Sequence, residues 1–301
     1  MASQKYYERL LVVAVIFFVF FVITVTGLPV IMQKFHILRD TRSGMLTISI
    51  IQALILFIAP SFVAARLISN RPLAYLEFNK APGWLPVIGV VFAYLIALPA
   101  LNQIIYWNAN LEFPDHLSHW GSTLRELEDS ANKAANIMLF TPEFGAMIIN
   151  LLVVGLLTAF GEELFFRGTL QHTATPSGAH HLAIWIVAFL FSAMHFQIFG
   201  FIPRLLLGAW FGYLLYWTKS IYIPVLAHFI NNGVVVVCVW LAANGFSYDF
   251  DKFGVVDSGF PYPALVSALA TFIFLFCFRN FFFKGSSYAG RRELENSLQV
   301  E

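Results

Sequence analysis

The sequence predicts an all-α protein: a polytopic transmembrane helical bundle of about eight transmembrane helices. Of the 301 residues, 59% are hydrophobic and only 12% are charged, whereas soluble domains carry about 25% charged residues. Eight apolar stretches have spanning length, since about 20 apolar helical residues cross the hydrocarbon core of a bilayer. We therefore expect an integral multi-pass membrane protein in contact with the lipid bilayer.

The predicted spans divide the chain into three parts. They run at about 10–32, 45–65, 86–106, 144–166, 181–199, 202–218, 221–243 and 262–283. We expect N-terminal helices with a polar interfacial loop in residues 1–143. A helical core should follow in 144–243, and a last helix with a basic tail in 244–301.

Charge and targeting signals indicate which partners the protein can have and in which membrane it lies. The net charge of +1 gives no reason to expect nucleic-acid binding. The apolar run from Leu10 is longer than a signal-peptide core and lacks an Ala-x-Ala site, so we expect a retained helix. No eukaryotic targeting signal is visible, which favours a bacterial plasma membrane. A cytoplasmic C-terminus is indicated by the cations near the chain end, which are Arg279, Lys284, Arg291 and Arg292.

The sizeable polar piece between the predicted spans runs from Asn108 to Glu143. Its apolar residues recur at helical spacing, which predicts an interfacial amphipathic helix. These residues are Leu117, Trp120, Leu124, Leu127 and Ala131. Two interpretations stay open: a solvated connector on the lipid headgroups, or an element that gates access of a substrate.

The segment GEELFFRG, residues 161–168, places three ionisable side chains at the end of an apolar run. Such groups cost at least a few kcal/mol at bilayer depth, so they usually have a partner or a function. In a helix, Glu163 and Arg167 are four residues apart and are expected to pair. Glu162 is rotated by about 100° from Glu163. It is therefore expected to be free for chemistry or for a ligand.

Two later stretches can meet this segment. His195 follows Phe191 by one helical turn in an apolar run, and His228 shares a helix face with Asn232 at i, i+4. A histidine and a carboxamide on one buried face can converge on one ligand atom. The structural alternatives are a packed histidine bonded to a backbone carbonyl, and interhelical hydrogen bonds that hold membrane helices together.

Other candidates are interpreted as structural. Gly208 and Gly212 form a GxxxG pattern, which predicts close approach of the sixth span to a neighbour. His172, His180 and His181 are expected to be loop residues and not ligands. Cys238 and Cys277 lie in apolar runs and are expected to be inert.

The three motifs together resemble the signature of the CAAX-processing and bacteriocin-processing (CPBP, or Abi) intramembrane protease family. They are Glu162-Glu163-x-x-x-Arg167, Phe191-x-x-x-His195 and His228-x-x-x-Asn232. The spacing of residues between the second and third motifs is also similar to that of the family. These residues are Gly208, Gly212, Tyr216, Ser220, Pro224 and His228. The resemblance covers about residues 152–233, a quarter of the chain.

The resemblance implies a helical-bundle endopeptidase whose site lies inside the membrane. By position, Glu162 resembles the residue that activates water, with His195 assisting. His228 and Asn232 resemble the groups that polarise the scissile carbonyl and hold the oxyanion. Glu163 and Arg167 resemble the pair that orients the first motif.

Metal dependence is open at this stage, because the family has been described both as metalloproteases and as metal-free glutamate proteases. Glu162, His195 and His228 would make a His2Glu set with an open position, as in catalytic zinc sites. No HExxH helix is present. We favour no cofactor, since a zinc-bound Glu162 could not also serve freely as a base; a divalent metal such as zinc is the alternative.

The leading functional hypothesis is thus an intramembrane endopeptidase that cuts a membrane-associated peptide or protein. A second hypothesis is a non-enzymatic scaffold, regulator or bacteriocin-immunity protein with the same fold. The third is an ion-coupled transporter, since buried Glu, Arg and His are common in such proteins. The absence of visible internal repeats argues against the transporter.

Overall fold

The computed structural model describes residues 2–175, 179–246 and 250–285. Within these ranges every regular element is helical, as the sequence predicts. The helices are α1 Ala2–Lys34, α2 Arg42–Ile68, α3 Pro72–Tyr75, α4 Trp84–Ala109, α5 Ser118–Leu139, α6 Phe144–Gln171, α7 His180–Ala193, α8 Phe201–Thr218, α9 Tyr222–Ala243 and α10 Tyr262–Gly285. Helices α2 and α6 include π-helical turns, at Gln52–Ile58, Leu151–Leu157 and Leu164–Gln171.

Seven helices in the described ranges are long and apolar enough to cross a membrane, which confirms a polytopic helical bundle. They are α1, α2, α4, α6, α8, α9 and α10. The predicted fifth span, 181–199, is wrong in its extent. Helix α7 has only 14 residues and is about 21 Å long, against about 30 Å of hydrocarbon. It ends early because the chain turns back at residues 194–200 toward α8.

The loop assignment of two histidines is also wrong. His180 and His181 form the first turn of α7. His181 Nδ1 lies 2.9 Å from the hydroxyl oxygen of Tyr213, and the His180 ring packs on Tyr216. Both histidines therefore tie the start of α7 to α8. His172 caps the end of α6 in a helical conformation, so it is not a loop residue either.

The start of α1 and the described end of α10 lie at the same end of the bundle. The Tyr6 hydroxyl donates to the Ala174 carbonyl at 3.3 Å, beyond the end of α6. Helices α4 and α10 run antiparallel, because Gly89 contacts Phe278 while Ala100 bonds to Ser267 further along. The cytoplasmic location of the C-terminus stays a prediction. Arg291 and Arg292 lie outside the described residues.

Helix α5 is the predicted amphipathic helix, and it lies at the opposite end of the bundle from the start of α1, next to the first turns of α2. Its Trp120 and Leu127 side chains are 66% and 51% exposed. Arg125 and Glu128 contact the turn that follows α7 instead. The apolar flank is therefore free to meet lipid while a polar face covers residues 194–200.

The GxxxG prediction of close helix approach is confirmed. Arg167 Nη2 donates to the Gly208 carbonyl at 2.8 Å, and Gln171 Nε2 donates to the Gly212 carbonyl at 3.0 Å. A Cβ atom at Gly212 would lie 2.6 Å from Gln171 Oε1. Glycine at these positions thus lets long polar side chains of α6 reach the α8 backbone.

Candidate active site

Two adjacent carboxylates and one guanidinium are buried in the middle of the bundle. Glu162 is 8% exposed, while Glu163 and Arg167 are fully buried. The predicted ion pair is present, with Arg167 Nη1 2.8 Å from Glu163 Oε1. Helix α6 sets this distance, since residues four apart lie on one face. A buried charge needs such a partner to offset its desolvation.

The surroundings of Arg167 fix its position further. Its guanidinium carbon lies 4.5 Å from the ring centroid of Phe191 and 5.4 Å from that of Phe211. Aromatic faces attract cations, more strongly when water is excluded. Together with the bond to Gly208, these contacts link α6 to α7 and α8. Arg167 therefore holds α6, α7 and α8 together at the site.

Glu163 also binds His228, a contact that sequence reasoning missed. His228 Nδ1 lies 2.8 Å from Glu163 Oε1, so one carboxylate oxygen serves both the guanidinium and the imidazole. The imidazole stacks on Phe211, with ring centroids 5.0 Å apart and planes 18° apart. Because Glu163 holds Nδ1, the Nε2 atom of His228 is directed toward the other carboxylate.

Glu162 has the free carboxylate that the helix geometry predicts. Its Oε2 atom is buried, lacks a hydrogen-bond partner among the described residues, and lies 3.8 Å from His228 Nε2. A buried carboxylate oxygen without a partner is costly. The site thus presents an unused acceptor beside a fixed imidazole.

Asn232 lies one turn beyond His228 on α9, with its carboxamide oriented by two neighbours. Its Nδ2 donates to the Val154 carbonyl at 3.2 Å, and its Oδ1 accepts from Asn231 Nδ2 at 3.3 Å. Asn231 thus bonds to its neighbour in the chain, and its Oδ1 also accepts from the Tyr94 hydroxyl at 3.5 Å. A carboxamide carries two N–H donors, so the bond to Val154 leaves one for another acceptor.

His195 lies at the rim of the site. Its Nδ1 donates to the Phe191 carbonyl at 2.9 Å, the bond expected of a packed histidine. The Phe191 ring packs between His195 and His228, with centroid distances of 5.2 and 5.8 Å. Among the described residues, His195 makes no direct ion pair with Glu162, although the two lie within electrostatic range. The structure therefore places His195 near the reactive groups without joining it to them.

The candidate metal ligands do not form a metal site as placed. Within residues 2–175, 179–246 and 250–285, no three His, Cys, Asp or Glu side chains lie close enough to hold one metal ion. His228 Nδ1 is occupied by Glu163, so only Nε2 could act as a ligand. Glu162, His195 and His228 do not fit a His2Glu zinc site in this arrangement. The preference for a site without a metal stays a prediction, with zinc as the alternative.

The part of the chain that contains these residues is similar to known proteins. Residues 144–234 match the family model described as "Type II CAAX prenyl endopeptidase Rce1-like". Over 91 residues the chain is 32% identical to the uncharacterized protein YpbD of Bacillus subtilis strain 168. That match covers 29% of this chain and 44% of YpbD, less than half of the relative's length. No solved structure matches the chain.

Proposed function

We propose that this chain is an intramembrane endopeptidase, because residues 144–234 match the Rce1-like family model of CAAX-type proteases. It hydrolyses a peptide bond in a membrane-associated peptide or protein, in a bacterial plasma membrane. One observation carries the proposal above all. Glu162 keeps a buried, unpartnered oxygen 3.8 Å from the Nε2 atom of an imidazole that Glu163 holds in place.

Glu162 is the proposed general base. Its carboxylate takes a proton from water while the water oxygen attacks the scissile carbonyl carbon. His195 assists from the rim. Because its Nδ1 donates to a carbonyl, its neutral form presents Nε2 as an acceptor for the same water.

His228 and Asn232 are the proposed oxyanion donors. Nε2 of His228 and the remaining N–H of Asn232 lie on one face of α9. With a proton on Nε2, both groups are donors that can bond the developing negative charge. Donors fixed in a site without bulk water act strongly on such a charge. Collapse of the intermediate breaks the C–N bond, and the departing amine receives the proton that the base had taken.

Glu163 and Arg167 are proposed as positioning residues. The Glu163 carboxylate accepts from Nδ1 of His228 and so fixes the orientation of the imidazole ring. Arg167 balances the Glu163 charge and ties it to the α8 backbone. A shared, buried carboxylate therefore supports the donor without touching the substrate.

The test compares new protein N-termini in membranes from cells that carry the wild-type chain or Glu162→Gln. Glutamine preserves size but cannot act as a base. Glu143→Gln is the matched control, since Glu143 is exposed just before α6. We expect termini that disappear only in Glu162→Gln at equal expression. Identical termini in all three samples would contradict the protease and favour the scaffold or immunity hypothesis.

A further inference from the structure

The turn that carries His195 has an unfavourable backbone conformation. Phe196, directly after His195, has φ of +54°, in the left-handed region that a side chain with a Cβ disfavours. Its own side chain is 78% exposed, so packing of the Phe196 ring does not hold it there. Such a residue keeps its conformation only when surrounding contacts enforce it.

Asn108 supplies the first of these contacts from the end of α4. Its Nδ2 donates to the Ile198 carbonyl at 3.0 Å, and its Oδ1 accepts from the Ile202 backbone N–H at 2.8 Å. The side chain is 4% exposed. One buried carboxamide therefore satisfies both a carbonyl of the turn and an orphan donor at the start of α8.

Arg125 supplies the second contact from α5. Its guanidinium carbon lies 3.4 Å from the ring centroid of Phe199, within the range of a cation–π interaction. The guanidinium is itself fixed by a 2.9 Å bond from Nη1 to the Ala109 carbonyl. Arg125 thus joins the end of α4, helix α5 and the turn.

Glu128 supplies the third contact, one turn further along α5. Gln197 Nε2 donates to Glu128 Oε1 at 3.1 Å, and Gln197 Oε1 accepts from Arg204 Nη1 at 2.8 Å. Gln197 therefore bridges an anion on α5 and a cation on α8. It lies two residues after His195, and Arg204 is within electrostatic range of both His195 and Glu162.

We propose that Asn108, Arg125 and Glu128 form a clamp that sets the position of His195 for the reaction. All three lie outside the segment 144–234 that matches the family, so they are additional positioning residues of this chain. Helix α5 then has a positioning role, in addition to connecting two spans or gating access of a substrate. The inference rests on the proposed endopeptidase function.

The first test uses kinetics on a peptide copied from a cut site found in the membrane comparison. We expect Glu128→Ala to lower kcat by about tenfold or more with KM little changed, because misplacement of a reacting group lowers the rate. Glu128→Gln keeps an acceptor for Gln197 and should recover most of that loss. Glu126→Ala is the matched control, since Glu126 is exposed on the same helix.

A double-mutant cycle shows whether the clamp acts through His195. In a His195→Ala background, Glu128→Ala should have little further effect, because coupled residues are not additive. Arg125→Gln tests the second contact independently and should behave like Glu128→Ala. Full additivity of both substitutions with His195→Ala would show a general structural role and overturn the proposal.

Hydrogen exchange provides a readout that does not depend on activity. Glu128→Ala and Arg125→Gln should speed amide exchange in residues 194–202, whereas Glu126→Ala should not. Unchanged exchange and unchanged kcat, with wild-type cleavage that depends on Glu162, would overturn the clamp and leave the endopeptidase intact. Cleavage that persists in Glu162→Gln would overturn the proposed function, and the clamp's role with it.

Discussion

The Nδ1 atom of His228 lies 2.8 Å from Oε1 of Glu163, the oxygen that also holds Arg167. Through this shared oxygen, Glu163 of α6 connects three helices. It contacts the imidazole on α9 directly, and it holds Arg167, which in turn donates to the Gly208 carbonyl on α8. We therefore expect the geometry of the proposed site to depend on Glu163, a carboxylate to which the proposed mechanism gives no chemical step.

Glu163→Gln should destabilise the protein by about 3–5 kcal/mol, because it leaves the buried Arg167 charge without its partner. Thermal unfolding in detergent measures the loss. Replacing both partners, as in Glu163→Leu with Arg167→Met, should restore much of the stability while activity stays low. A stable Glu163→Gln single variant would contradict the role assigned to the pair.

His228→Asn should lower kcat by about 10²–10³-fold with a smaller change in KM, as expected for loss of an oxyanion donor. The control is His181→Asn, since His181 bonds Tyr213 at the far end of α7 and α8. Steady-state kinetics on one peptide compares the two. Equal activity of both variants would remove His228 from the reaction.

Substitutions at the asparagine pair should have graded effects. Asn232→Asp replaces the proposed oxyanion donor by an acceptor and adds a negative charge, so activity should fall by about 10²-fold or more. Asn231→Ala removes a bond that orients the Asn232 carboxamide and a 3.5 Å bond from the Tyr94 hydroxyl, and it should cost less. Reversal of that order in kcat would argue that Asn231 contacts the substrate instead.

Chelators should leave the activity unchanged. The described residues bring no three metal-binding side chains together, and Glu163 already occupies Nδ1 of His228. The measurement is cleavage after dialysis against a strong chelator, with metal content determined by elemental analysis. Loss of activity that added zinc restores would replace the general-base mechanism with a metal-assisted one.

Glu77, between α3 and α4 and outside the spans, should make stability depend on pH. Burial raises the pKa of its carboxyl from 4.5 to about 7, partly offset by Lys219 and Lys80. The folded protein therefore holds a proton that the unfolded chain releases. The stabilisation is complete below about pH 4.5 and is lost as the pH rises to about 7.

Over that window the thermal stability should fall by roughly 2 kcal/mol, allowing for partial solvent screening. Glu77→Gln imitates the protonated carboxyl and should flatten this part of the profile. Glu126→Gln, at an exposed position, should leave it unchanged. Identical slopes for wild type and Glu77→Gln would show that Glu77 titrates normally.

Local patterns of the sequence predict much of the fold. Apolar runs locate the seven long helices, because spanning length is a property of a single segment. The Glu163–Arg167 pair follows from helical periodicity alone, and the close approach at Gly208 follows from the absence of side chains. Each of these features depends on residues that are near in sequence.

The remainder depends on packing between distant segments. The bond between Glu163 and His228 joins residues 65 apart, and the bonds of Asn108 cross 90 and 94 residues. Helical periodicity does not predict which faces of two helices pack against each other. The early end of α7 was missed for the same reason, since Ile198 and Phe199 are apolar but lie in a turn held by α4 and α5.

The most direct test of the account is hydrolysis in ¹⁸O-labelled water by the purified chain in liposomes. The substrate is a peptide copied from a cut site found in the membrane comparison. The account predicts that one ¹⁸O atom enters the new carboxyl group with wild-type protein, and that no product forms with Glu162→Gln. Cleavage by Glu162→Gln at the wild-type rate would contradict the role of Glu162 as the base.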